Sequence, residues 1–166
     1  MFSRIVQLCL AACLSVGLVA ATATSSPADG VRPAVAADGV VKVKSAYSMA
    51  ETIARVKKDI ADKGITFFLE VDQRKLAKDA GIALGPSTLL IFGNPGLGSH
   101  FITAKAEAGL DWPVRLLITQ DAQGQVWAVY TDFNWIAKRH GIASRDKEFA
   151  MANAVVMSIT SSVAGR

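Results

Sequence analysis

Between residues 41 and 71 the spacing of apolar side chains switches twice, and each switch marks a change of secondary structure. Val41 and Val43 alternate with Lys42 and Lys44, the two-residue period of a strand with one buried face. Met49, Ile53, Val56 and Ile60 follow at spacings of four, three and four, one stripe of an amphipathic helix. Ile65, Phe67, Leu69 and Val71 then return to every second residue. Ser48 and Glu51 stand ahead of the helix as a capping box: the hydroxyl accepts an N–H one turn in, and the carboxylate reaches back. Gly64 ends the helix, as a residue that tolerates positive φ does. Burying the four stripe residues is worth roughly 1.5–3 kcal/mol each before entropy is counted. A chain that opens in this way needs a sheet with a helix laid across it.

The remaining elements extend that sheet. Residues 73–80 read as a short helix closed by Gly81, and residues 88–92 form a nearly continuous apolar run expected to be a central strand. A glycine-rich loop over residues 93–99 leads to a helix over residues 100–108. Val114, Leu116 and Ile118 alternate with Arg115, Leu117 and Thr119; residues 121–124 form a turn, and residues 126–131 return as the second arm of a hairpin. Asn134 is expected to cap a short helix that runs to His140 and stops at Gly141. The last helix, over residues 144–163, carries a core stripe of Phe149, Ala152, Val156, Ile159 and Val163, with Met151, Val155 and Ser158 as a weaker second stripe beside it. The fold class is α+β, a β-α-β4-α core in which helices pack on one face of an antiparallel sheet.

The first 23 residues belong to a different kind of segment. Arg4, an apolar run over residues 5–21 and the small-x-small site Ala21-Thr22-Ala23 are the three parts of a cleavable secretory leader. Residues 24–39, rich in Ala, Ser, Pro, Gly and Asp, read as a flexible linker, and residues 40–166 as the folded domain. Both cysteines, Cys9 and Cys13, lie in the leader, so cleavage after Ala23 leaves a chain without a thiol. That excludes disulfides, thiol nucleophiles and cysteine metal clusters from the mature domain. Leu10-Ala11-Ala12-Cys13 also matches a lipoprotein cleavage pattern, the less favoured alternative. The expected location is periplasmic or secreted, with no stable membrane span once the leader is removed. Loss of Arg4 lowers the formal charge from +4 to +3, and basic and acidic residues are interleaved, as in Arg55 to Asp59. No phosphate-tracking stripe emerges, which argues against nucleic acid as a partner.

Several segments together resemble the bacterial family known as domain of unknown function 302. They are the opening strand with the helix start at Ser48 and Glu51, Phe92-Gly93-Asn94-Pro95, Pro113-x-Arg115, the turn over residues 121–124, Tyr130-Thr131-Asp132 and Ala137-Lys138-Arg139-His140. The resemblance covers the whole domain. It implies a fold like that of the TATA-box-binding protein, often as a dimer, and no established activity.

Candidate chemistry is sparse. In the loop over residues 93–99, Asn94, Gly96, Gly98 and Ser99 can converge backbone donors on an anion ahead of a helix N-terminus. The alternative is a tight strand-to-helix turn. Arg115 projects from the strand face opposite Leu116, and a fixed guanidinium near Tyr130 suits a carboxylate or phosphate; the alternative is a cross-strand surface charge. Arg139 and His140 end a short helix, where cations meet the C-terminal dipole. His100 and His140 share no metal-binding spacing, no serine stands in a Gly-x-Ser-x-Gly elbow, and neither a metal nor a cofactor is expected. Trp112, Trp127 and Trp135 read as packing residues. The expected function is a non-enzymatic module that recognises a small anionic ligand or a protein partner. The alternatives are an enzyme with Arg115, Arg139 and His140 around a cleft, and a structural homodimer. If the leader is cleaved as expected, intact-mass analysis of the envelope fraction will show an N-terminus at Thr24; a mass that includes Met1, or one that starts at a lipidated Cys13, overturns this.

Overall fold

Among the described residues, five strands and five α-helices carry out the alternation seen in the sequence. The structure, a computed structural model, describes residues 33–165; the leader, its cysteines and residues 24–32 of the expected linker lie outside the described residues. The elements are β1 (Val40–Lys44), α1 (Met49–Asp62), β2 (Thr66–Asp72), α2 (Gln73–Asp79), β3 (Ser87–Gly93), α3 (Pro95–Ala104), a 3-10 turn (Ala106–Leu110), β4 (Val114–Gln120), β5 (Val126–Thr131), α4 (Phe133–His140) and α5 (Asp146–Ser161). The strands form one open antiparallel sheet in the order β1-β5-β4-β3-β2. The α+β architecture expected from the sequence is the one observed.

One face of this sheet is the core. Val41, Leu90, Phe92, Leu116, Ile118 and Ala128 are buried against Val56 and Ile60 of α1 and Phe149, Val156 and Ile159 of α5. Phe101 of α3 stacks on Phe149 at 4.3 Å between ring centres and meets Phe133 of α4 at 5.7 Å. The opposite face carries residues of the other parity. Val71, Leu89, Leu117 and Val129 lie in one cross-strand row, each half-buried.

Four local details depart from the sequence reading. Ser48 Oγ accepts from Glu51 N at 3.4 Å as expected, but the Glu51 carboxylate turns outward to Arg55 instead of completing a capping box. A register shift between Phe67 and Leu69 breaks the alternation of β2, so Phe67 pairs with Phe92 and Leu69 with Ile91. Phe67 therefore packs on the core while Leu69 lies 52% exposed. The cap of α4 is Asp132, which accepts from Trp135 N at 2.9 Å, not Asn134. The helix after β3 starts five residues earlier than the glycines suggest. Asn94 is its cap, accepting from Leu97 N at 3.2 Å, and Pro95 occupies the first turn, where its missing N–H costs nothing.

The glycines of that segment have a packing role. A Cβ on Gly98 would lie 1.9 Å from the Trp112 ring, and one on Gly93 would lie 3.1 Å from Trp112 Nε1. The two glycines make a notch in which the indole rests against β3 and α3. Ahead of β1, residues 33–39 pack on the same domain: Val35 bridges to Val41, and Gly39, at φ +82°, lies against Trp135 and accepts from Asp132 N. At the β4–β5 turn the Asp121 carboxylate accepts from Trp127 Nε1 at 2.8 Å and from the backbone N–H groups of Gln123 and Gln125. The Trp127 bond, more than the other contacts, holds its pKa below the usual aspartate value.

Gly98→Ala tests the notch. Alanine favours a helix interior by up to about 1 kcal/mol, yet its Cβ needs the space of a ring held between two elements. A net loss of roughly 1–3 kcal/mol in urea denaturation is expected from overpacking. An unchanged or stabilised variant overturns the packing role.

Candidate functional site

Asp111 follows the 3-10 turn, its N–H bonded to Ala108 O, and three residues later, after a cis Trp112–Pro113 bond, β4 begins. The carboxylate has only 4% of its side-chain surface exposed. A charge in that position is costly unless cations and donors surround it. Three side chains do. Arg115, four residues further on in β4, gives Nη2 to Oδ1 at 3.0 Å. Arg139, from the last turn of α4, gives Nη1 to the same oxygen at 3.2 Å. His140 Nε2 lies 2.6 Å from Oδ2, and since an ionised carboxylate only accepts, the Nε2 proton sits in this contact.

The partners are unequally placed. The His140 side chain is 7% exposed, whereas Arg115 and Arg139 are 50% and 45% exposed. Asp111 thus acts as an anchor on the inside, and two guanidiniums spread from it to the surface. Each uses one nitrogen on the anchor and keeps further N–H donors. Arg139 also lies over the Trp135 ring, 5.7 Å from its centre, a contact that orients the guanidinium plane. One carboxylate against two guanidiniums leaves a net charge of about +1 even with His140 neutral. Asp111, Val114, Arg115, Thr131, Phe133 and Ile136 enclose a small hollow at the same place.

Of the residues singled out in the sequence, Arg115, Arg139 and His140 come together. Asn94, Gly96, Gly98 and Ser99 do not join them and make no anion nest. Gly98 N–H is bonded to Asn94 O, Ser99 Oγ donates to Pro95 O, and both residues lie inside α3 rather than ahead of it. Tyr130 pairs with Val41 on the core face of β5, 5% exposed, away from the face that carries Arg115. Sequence reasoning missed Asp111, the residue that organises the site. Its signal was a lone acid between Leu110 and Trp112, four residues before the arginine already in view. Among the described residues no group of three or more His, Cys, Asp or Glu side chains is placed to hold a metal ion.

The hierarchy of the cluster is measurable. Asp111→Ala leaves a nearly buried imidazole and two arginines without their acceptor, and a loss of about 1.5–3 kcal/mol is expected for hydrogen bonds to a charged group. Arg115→Ala, at a half-exposed position, is expected to cost less than about 1 kcal/mol. Equal losses in chemical denaturation would show that the carboxylate is not the anchor.

Comparison with known proteins places this architecture. A crystal structure of an uncharacterised conserved DUF302 protein from Bacillus stearothermophilus is similar in fold, with a TM-score of 0.69 at 14% identity, covering 75% of this chain and 98% of that one. Two curated relatives are proteins named Fluoride-specific ion channel FluC 1, from Brucella suis and Brucella abortus. Each is 42% identical over 104 residues, 63% of this chain. The match spans only 41% and 38% of those proteins' own length. Among the described residues no helix is long and apolar enough to cross a membrane. The family model described as domain of unknown function DUF302 matches residues 41–159, from β1 into the last turns of α5. The chain belongs to the DUF302 family.

Proposed function

We propose that the protein is an exported binding module and that its ligand is a small oxyanion, held by Arg115 and Arg139 over the Asp111 anchor. The observation that carries this reading is the unequal exposure of the cluster: a 4% exposed carboxylate fixes two guanidiniums that are about half exposed. Planar guanidinium forks suit two-oxygen acceptors such as carboxylate, sulfate or phosphate. Prior attachment to Asp111 and to the Trp135 ring lowers the ordering cost of binding. His140 supports binding over proton transfer, since its ring is nearly buried and Nε2 is already engaged. The relatives' name concerns a fluoride channel, and this chain spans about two fifths of their length. Their activity is not assigned to it, but fluoride belongs among the anions tried.

The test is a thermal-shift and calorimetric screen of sulfate, phosphate, acetate and fluoride against wild type, Arg115→Ala and Arg139→Ala. At least one oxyanion is expected to stabilise wild type, with affinity that falls as salt rises. Each alanine variant should lose about ten- to a hundredfold in affinity, the worth of one charge-assisted bond. If no anion stabilises wild type, or if the variants bind as well as wild type, the cluster is a structural ion network and this reading fails.

A further inference from the structure

Between α3 and α5 the surface opens over the core. A cleft of about 450 Å3 remains there, walled by Phe92, Phe101, Trp112, Phe133 and Val155. Phe92, Phe101 and Phe133 are at most 2% exposed and form its sealed floor, while half-buried Ile65, Trp112, Val114 and Val155 present its open apolar walls. Protein interiors pack at crystal-like density and hold few voids larger than a water molecule. A gap of this size lies instead within the roughly 300–1,000 Å3 range of small-molecule sites. Its polar lining is confined to Lys63, Asn94 and Ser158, and no acid lines it. Lys63 gives Asp59 one of its three N–H groups, at 2.6 Å. Asn94 uses its side-chain oxygen on Leu97 N, which leaves its amide N–H groups as donors. Met151, Val155 and Ser158, the second stripe of α5, form part of this lining.

We propose that this cleft binds a single-chain amphiphile with a carboxylate head, its alkyl chain against Trp112, Val114 and Val155 and its head at Lys63 and Asn94. The lining sets the chemistry, since aromatic and aliphatic walls take a hydrocarbon, while the N–H groups that Lys63 keeps beyond its Asp59 bond and the Asn94 amide donors take an anionic head. The volume sets the length. At the ~30 Å3 that one liquid water occupies, the cleft holds about fifteen heavy atoms, the size of a fatty acid of about twelve or thirteen carbons. This site is separate from the arginine cluster, with which it shares only Val114 and Phe133 as a common wall.

Titration of the mature domain with hexanoate, octanoate, decanoate and tetradecanoate, read by tryptophan emission because Trp112 lines the cleft, tests the proposal. Saturable binding is expected to tighten about fourfold per added methylene, and to level off beyond about twelve carbons as the cleft fills. Lys63→Gln, at an exposed position, should weaken decanoate by about two- to fivefold and leave decanol unchanged. Val155→Phe should abolish the chain-length dependence by filling the space. Arg115→Ala should leave decanoate binding intact, so failure of the oxyanion reading and failure of this one are distinguishable. Absence of a saturable response overturns the proposal. So does equal affinity along the series, which would place a bare carboxylate on the arginines.

Discussion

The Asp111 carboxylate is the constraint from which the lower end of the molecule is organised. It lies where the 3-10 turn passes into β4, and burying it there is tolerable only because Arg115, Arg139 and His140 converge on it. Those partners come from β4 and from the last turn of α4, so one charge ties the end of α4 to the chain just ahead of β4. Gly141, at φ +64°, then turns the chain out of α4 immediately after the imidazole contact. A second tie holds the start of the same helix: Asn153 of α5 accepts from Phe133 N at 2.8 Å. The helix is thus pinned at both ends by side-chain acceptors, and its apolar residues Phe133 and Ile136 fill the space between.

Much of this fold was legible in the sequence because period and capping are local properties. The stripe of α1, the alternation of β4 and β5, the turn at residues 121–124 and the core stripe of α5 all have their physical cause within a few residues of chain. The failures have causes at a distance. Glycines over residues 93–98 read as a loop because glycine disfavours a helix interior, but the preference is outweighed by the Trp112 ring that needs their missing side chains. The break in β2 is invisible in an unbroken alternation and follows from its pairing with β3. The candidate site divides in the same way. Arg115, Arg139 and His140 announce themselves by residue type, whereas Asp111, a lone acid in the sequence, shows its role only once the 3-10 turn and the end of α4 are together.

The two cavities give the domain an amphipathic character. The hollow beside the arginine cluster and the apolar cleft meet at Val114 and Phe133, one a strand residue between Pro113 and Arg115, the other the first residue of α4. A shift of either side chain changes both walls at once. Family membership fixes the architecture on which these features sit and leaves their chemistry to be argued from the residues, since a shared fold hosts many activities.

The break in β2 has a consequence for solubility. β2 and β1 are the two outer strands of an open sheet, and an outer strand offers unpaired backbone groups to any passing extended chain. Each border is handled differently. Along β1 the chain guards its own margin, since residue 35 doubles back to bridge Val41. Along β2 the extra residue near Phe68 bends the backbone and increases its local twist, so a second strand cannot run straight alongside it. The segment 67–69 pairs two phenylalanines with a leucine, a composition prone to stacking into fibres when flat. The kink that looks like an irregularity in the ladder makes that segment a poorer template for a flat, straight partner strand.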